Sequence, residues 1–166
     1  MRVLGVDPGL QCTGYGVVEY EKGRSGIQPK LVLIEAGVIH TRAKDKLPVR
    51  LHKIFQGIQQ VLEEYHPQVM ALEELYSHYQ NPRTAIMMAH ARGVICQAAA
   101  GVGIKVIGYA ARRVKKAITG TGAARKPQMQ KVIREILGLN TLPSPSDVAD
   151  ALALAITHLH VLRMQR

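Results

Sequence analysis

The stretch Val3-Leu4-Gly5-Val6-Asp7-Pro8-Gly9 decides the architecture. A wholly apolar run of this length reads as a buried strand, and Pro8-Gly9 stops it, so the carboxylate of Asp7 is held where a strand ends and a turn begins. Gly14-Tyr15-Gly16-Val17-Val18-Glu19-Tyr20 returns after a glycine-containing turn, which predicts a hairpin with residues 2–6. A third β-rich stretch, 31–41, follows a loop of Lys, Gly, Ser and Pro at 21–30. The chain therefore opens with three strands that can run antiparallel in a row.

From Leu47 the period changes. Leu51, Ile54, Phe55, Ile58, Val61, Leu62 and Tyr65 recur at helical spacing until His66-Pro67 closes the segment. Residues 69–73 read as a short buried strand ending on Glu73, and 82–100 as an Ala- and Met-rich helix opened by Asn81-Pro82 and ended near Gly101. Its apolar residues suit either a dimer face or a buried core helix. Lys105–Tyr109 predicts another strand, Ala110–Ile118 a basic helix, and 127–137 a further helix after the loop Thr119-Gly120-Thr121-Gly122. Pro143-Ser144-Pro145-Ser146 breaks the chain before a last helix. This order predicts an α/β fold, a mixed sheet with helices on both faces.

Four acids share unusual settings. Asp7 and Glu73 end apolar strands, and Asp147 and Asp150 open the last helix, three residues apart and so neighbours on its surface. Each has an ordinary alternative: Asp-Pro-Gly is a common turn, and acids in a first turn suit the helix dipole by about 0.3–1 kcal/mol each. An ionised carboxylate at the edge of a buried strand, however, costs several kcal/mol unless it is paired or holds metal. Strand alternation sends Glu73 and Glu74 to opposite faces, so only one of them can face Asp7. Val148, Ala151, Leu152, Ala155, Ile156 and Leu159 dock the last helix on the sheet, which leaves its two Asp near the buried edge, with Ser146 able to cap it. Hard oxygen ligands favour Mg²⁺ or Mn²⁺. No His or Cys cluster suggests zinc; His158 and His160 are expected to face solvent or the core edge.

The chain has 166 residues, 47% of them apolar, as one compact domain over 1–166 requires. Lys and Arg number 22 against 12 Asp and Glu, for a net charge of +10, which points to a polyanionic partner. Gathering four of the acids into one pocket leaves the remaining surface more positive still. Arg112, Arg113, Lys115 and Lys116 form a basic run, followed by Arg125, Lys126 and Lys131, and the amides of Gly120 to Gly122 can approach phosphates closely. Two cysteines in unrelated contexts, with no apolar segment of membrane-spanning length, suggest a reducing, cytoplasmic location.

Val6-Asp7-Pro8-Gly9 with Thr13-Gly14-Tyr15-Gly16, Leu72-Glu73-Glu74, Ala91-Arg92-Gly93, Tyr109-Ala110-Ala111-Arg112, Gly120-Thr121-Gly122 and Asp147 through Ala153 together resemble the RuvC family of Holliday-junction resolvases. The resemblance is collinear and spans nearly the whole chain. It implies an RNase H-like fold with a five-stranded sheet whose first three strands are antiparallel. It also implies a homodimer that nicks two opposed strands of four-way junction DNA during recombination and repair, working with a branch-migration complex of RuvA and RuvB type proteins. By the same resemblance the catalytic, metal-binding acids fall on Asp7, Glu73, Asp147 and Asp150, with two Mg²⁺ ions per site and Mn²⁺ able to substitute. Lys115 and Lys126 match DNA-contacting or active-site lysines, and the basic run and glycine loop read above add Arg112, Lys116, Gly120 and Gly122 as expected DNA contacts. Tyr76 matches an aromatic that stacks on an unpaired base. Where many relatives have Gln after the catalytic Glu, this chain has Glu74. Actin-like ATPases and sugar kinases share the Asp-x-Gly turn, but their folds need two such domains and a longer chain. A junction binder that does not cut is the other rival, and the presence of all four acids argues against it.

Overall fold

Strands β1 (Arg2–Asp7), β2 (Cys12–Glu21) and β3 (Lys30–His40) pair antiparallel in chain order, with Gly5 opposite Gly16 and Asp7 opposite Gly14 in the first pair. The computed structural model describes residues 1–23, 28–75 and 82–164. After helix α1 (Leu47–Tyr65), strand β4 (Val69–Glu73) joins the far side of β1 in parallel, and after helix α2 (Pro82–Gly101), strand β5 (Lys105–Tyr109) adds parallel to β4. The sheet order is β3-β2-β1-β4-β5. Helices α3 (Ala111–Thr119), α4 (Lys126–Leu137) and α5 (Ser146–Met164) complete the chain.

The punctuation of the sequence accounts for the helix ends. Pro48 sits in the first turn of α1, and His66 closes that helix in the left-handed conformation, its N–H bonded to the Leu62 carbonyl, before Pro67 forbids continuation. Gly120 closes α3 in the same way at φ +79, donating to the Lys116 carbonyl. The amide of Gly120, expected to approach phosphate, therefore caps a helix. Thr121 and Ala123 donate to Thr119 Oγ1 and Thr121 Oγ1 within the same loop.

Period-2 alternation splits the sheet between two cores. Leu4, Val6, Met70 and Leu72 face α1 and α2, packing on Ile54, Ile58, Leu62, Ala91 and Ile95. Val3, Val69, Ala71 and Tyr109 face the other way, onto Val114, Met129, Ile133, Leu152 and Ile156 of α3, α4 and α5. The second half of α2 is thus core, through Ala91, Ile95, Ala98 and Ala99, whereas Ile86 in its first half is 55% exposed. Among the described residues no helix is long and apolar enough to cross a membrane.

Candidate active site

The parity that puts Val6 and Leu72 in one core puts Asp7 and Glu73 on the opposite face. Val6 stands opposite Leu72 in the parallel ladder, so the next residues, Asp7 and Glu73, end neighbouring central strands at the same edge of the sheet. Their carboxyl groups hydrogen-bond to each other. Glu74 turns away: its carboxylate lies against Gly108, on the α2 side, and its N–H donates to the Tyr109 carbonyl at 3.0 Å.

Helix α5 brings the remaining two acids to this edge because the strands beneath it are shaved to backbone. A Cβ on Gly5 would collide with the Ala151 carbonyl, and one on Gly14 with the carbonyl of Asp147. Glycine inside an apolar strand marks such an approach, and this was the signal available in the sequence for the docking of α5. Ser146 is the first residue of the helix, and its Oγ accepts a hydrogen bond from Lys126 Nζ at 3.1 Å.

Asp7, Glu73 and Asp150 line a cavity of about 480 Å³ together with Lys115 and Lys126, and Val114, Met129 and Leu154 form apolar walls. Lys126 Nζ lies 3.9 Å from Asp150 Oδ2. Burial, then the hydrogen bond and charge of Glu73, then the charges of Asp150 and Asp147, push the Asp7 carboxyl up to about 9. Asp150 is raised by burial, against which Lys126 and Lys115 act and with which Glu73 and Asp147 act. Asp147 lines an adjoining cleft instead, yet its charge is felt by Asp7, Asp150 and, across the β1–β2 turn, by the thiol of Cys12. As the side chains lie, no three His, Cys, Asp or Glu among the described residues are drawn tightly enough together to grip one ion. What they form is a set of carboxylates that raise one another's affinity for positive charge.

Positive charge surrounds this edge. Between Glu74 and Glu135 the chain contains no Asp or Glu. Lys115 and Lys126 reach the cavity, Arg112 packs its stem over Gly122, and Lys116 is exposed on the outer side of α3. Arg113 stacks on Tyr109, 5.5 Å from the ring centroid. Tyr76 lies outside the described residues. His158 is buried, not solvent-facing, with Nδ1 2.8 Å from Tyr109 Oη. Arg92, to which the sequence assigned no task beyond its motif, donates to the backbone carbonyl of Glu73 at 3.1 Å.

A five-stranded mixed sheet of this order with helices on both faces is an RNase H-like fold, and here carboxylates stand at the ends of two neighbouring strands and on a helix crossing them. Residues 3–158 match the family model of the crossover junction endodeoxyribonuclease RuvC. The chain is 49% identical over 154 residues to the crossover junction endodeoxyribonuclease RuvC of Rhodopirellula baltica, covering 93% of this chain and 83% of that one. It is 45% identical to that of Syntrophomonas wolfei, over 99% of this chain and 91% of the relative. The solved structure of Thermus thermophilus RuvC superposes with a TM-score of 0.87 at 35% identity, covering 99% of this chain and 97% of that one. A second solved structure is T. thermophilus RuvC in complex with Holliday junction substrate, with a TM-score of 0.86 at 32% identity over 99% and 96% of the two chains. The chain belongs to the RuvC family of crossover junction endodeoxyribonucleases. It is accordingly an enzyme that cuts DNA.

Proposed function

We propose that the acid pocket at the ends of β1 and β4 is the catalytic centre of a Holliday-junction resolvase, with Asp7, Glu73, Asp147 and Asp150 as its metal-binding acids. The observation that carries this reading is the convergence of carboxylates from three separate elements beside two lysines, on the fold of a family whose relative is solved with junction DNA. The donor set fits Mg²⁺ or Mn²⁺: it is all oxygen and partly buried, and the mutual repulsion of carboxylates that raises the Asp7 carboxyl is what a bound cation relieves. Two such ions, once bound, acidify an attacking water and neutralise charge on the departing 3′ oxygen.

The chain's own residues do the rest. Lys115 and Lys126 offer ammonium groups to the phosphate entering the cavity, and Arg112, Lys116, Gly120 and Gly122 extend the contact along the DNA backbone. Val114, Met129 and Leu154 keep water from the inner wall, which strengthens each charge interaction inside. Tyr76 is assigned to an unpaired base at the crossover. Each chain contributes one acid pocket, so two opposed nicks call for two chains; we assign a homodimer, with the exposed first half of α2 among the candidate contact surfaces. The same reading makes residues 1–166 one nuclease domain, acting in the cytoplasm in recombination and repair beside RuvA and RuvB type proteins.

The test is incubation of a synthetic four-way junction with Mg²⁺, Mn²⁺ or neither, with mapping of the nicks. Paired nicks on opposed strands are expected with either ion and none without. Asp7→Asn should lose about two or more orders of magnitude in cleavage rate while junction binding persists, because the charge is lost and the shape is kept. Full cleavage by Asp7→Asn removes the pocket from the chemistry.

A further inference from the structure

A second cleft, of about 600 Å³, opens on the other side of Asp147 from the acid pocket, and the reaction described above makes no use of it. The β1–β2 turn, the end of β3, the start of α2 and Asp147 enclose it. Its lining has two characters. Arg50 brings positive charge, His40 brings imidazole nitrogens able to hydrogen-bond, and Leu10, Met87 and Met88 bring apolar surface.

Arg50 is a built part of this cleft. Its Nε donates to Thr41 Oγ1 at 2.9 Å, and buried Thr41 in turn donates from Oγ1 to the Leu10 carbonyl at 2.6 Å and from N–H to the Gln11 carbonyl at 3.0 Å. The guanidinium is therefore tied to the turn that leaves Asp7-Pro8. With Nε committed to Thr41, the fork of two amino groups is what Arg50 offers, and a phosphate is the anion that such a fork suits. Beside it, methionine side chains adapt to a flat apolar face. A cation fork next to an apolar wall matches an unstacked nucleotide, with phosphate at one end and an aromatic base at the other. Asp147 lines this cleft and its charge reaches Asp7, while Asp150, one helical turn further along α5, lines the acid pocket, so the two openings flank one turn of that helix.

We propose that this cleft receives a nucleotide next to the scissile phosphate on the cut strand, its phosphate on Arg50 and His40 and its base against Leu10, Met87 and Met88. The proposal rests on the nuclease reading of the acid pocket. It gives the β1–β2 turn two duties, holding Asp7 at one end and seating the neighbouring nucleotide at the other.

The test replaces single phosphates around the cut by neutral methylphosphonates and measures junction affinity without divalent metal, so that nothing is cleaved. In the wild-type protein, neutralising one phosphate within a few nucleotides of the cut should weaken binding about tenfold, the size of one charge-assisted contact. Arg50→Gln should bind the unmodified junction about tenfold more weakly and lose nothing further at that phosphate. A loss at every phosphate equal to that of wild type overturns the proposal. Because Arg50 also anchors Thr41, Gln11→Glu runs beside it; Gln11 is exposed, and only its backbone carbonyl bonds Thr41. An added carboxylate there should weaken binding of the unmodified junction more than binding of the neutralised one, at an unchanged melting temperature. Equal weakening of both overturns the proposal. Failure of the wild-type protein to cut a junction in Mg²⁺ strikes the nuclease reading itself, whereas normal cutting with both variants indifferent to the modified phosphate strikes the cleft alone.

Discussion

Arg92, on α2, donates from Nε to the backbone carbonyl of Glu73 at 3.1 Å, so a helix on one face of the sheet steadies the strand end whose carboxyl group serves the other face. The bond is part-buried and charge-assisted, a type whose loss costs about 1.5–3 kcal/mol. Arg92→Met should therefore slow single-turnover cleavage by about tenfold or more, while junction affinity stays within about twofold. Arg92→Lys should recover part of the rate. Equal losses of rate and affinity, tracking a lowered melting temperature, would show that Arg92 only packs α2 against the sheet.

Glu73 and Glu74 are separated by one peptide and by the thickness of the sheet. Glu73→Gln should abolish nicking, because it removes a charge beside Asp7, and Glu74→Gln should leave most of the rate, because that carboxylate lies over Gly108. Nick rates of the two variants on one junction in Mg²⁺ decide the matter. A dead Glu74→Gln with an active Glu73→Gln would reverse the assignment.

Gly14→Ala is the smallest change that should push α5 off the sheet. Its methyl group meets the Asp147 backbone, not a flexible side chain, so the helix must shift. Overpacking of this kind costs about 1–3 kcal/mol, and it displaces Asp147 and Asp150 from Asp7 as well. Urea unfolding should show the lost stability, and cleavage should fall further than stability does. A variant with wild-type melting and wild-type cleavage would mean that the α5 contact yields without consequence.

His158 should make stability depend on pH below neutrality. Burial first, then the charge of Lys105, lower its pKa from the ordinary 6.5, and its Nδ1 is bonded to Tyr109 Oη while Arg113 sits over the Tyr109 ring. The unfolded chain then binds a proton at higher pH than the folded one does, so stability is full above about 6.5 and falls as pH drops from there toward the folded value. Urea midpoints measured from pH 7.5 to 5 should decline for wild type and decline less for His158→Gln. Identical slopes would assign the pH dependence to other groups.

Much of this architecture is legible along the chain because its signals are local. The continuous apolar runs at 3–6 and 69–72, the change to helical period at Leu47, and stops at His66-Pro67 and Gly120 each depend on a handful of neighbouring residues. They recover the strand and helix order and put Asp7 and Glu73 at strand ends. The glycine-rich loop was less transparent: its residue types suggested amides open to phosphate, but in the fold Gly120 caps α3 and the hydroxyls of Thr119 and Thr121 take neighbouring amides.

The sequence by itself determined the element order, the two faces of the sheet, the excess of positive charge and the four acids at element ends, since all of these follow from periods of 2 and 3.6 residues and from residue chemistry. Tertiary structure decided which groups meet. Asp7 finds Glu73, Lys126 finds Asp150, Arg92 finds the Glu73 carbonyl, and His158 finds Tyr109 across separations of 66, 24, 19 and 49 residues. Asp147 turned out to border a second cleft as well as influence the first. The reason is physical: where a side chain ends depends on how closely one element lies on another, and that distance is set by contacts such as Gly14 beneath Asp147, which no local period encodes.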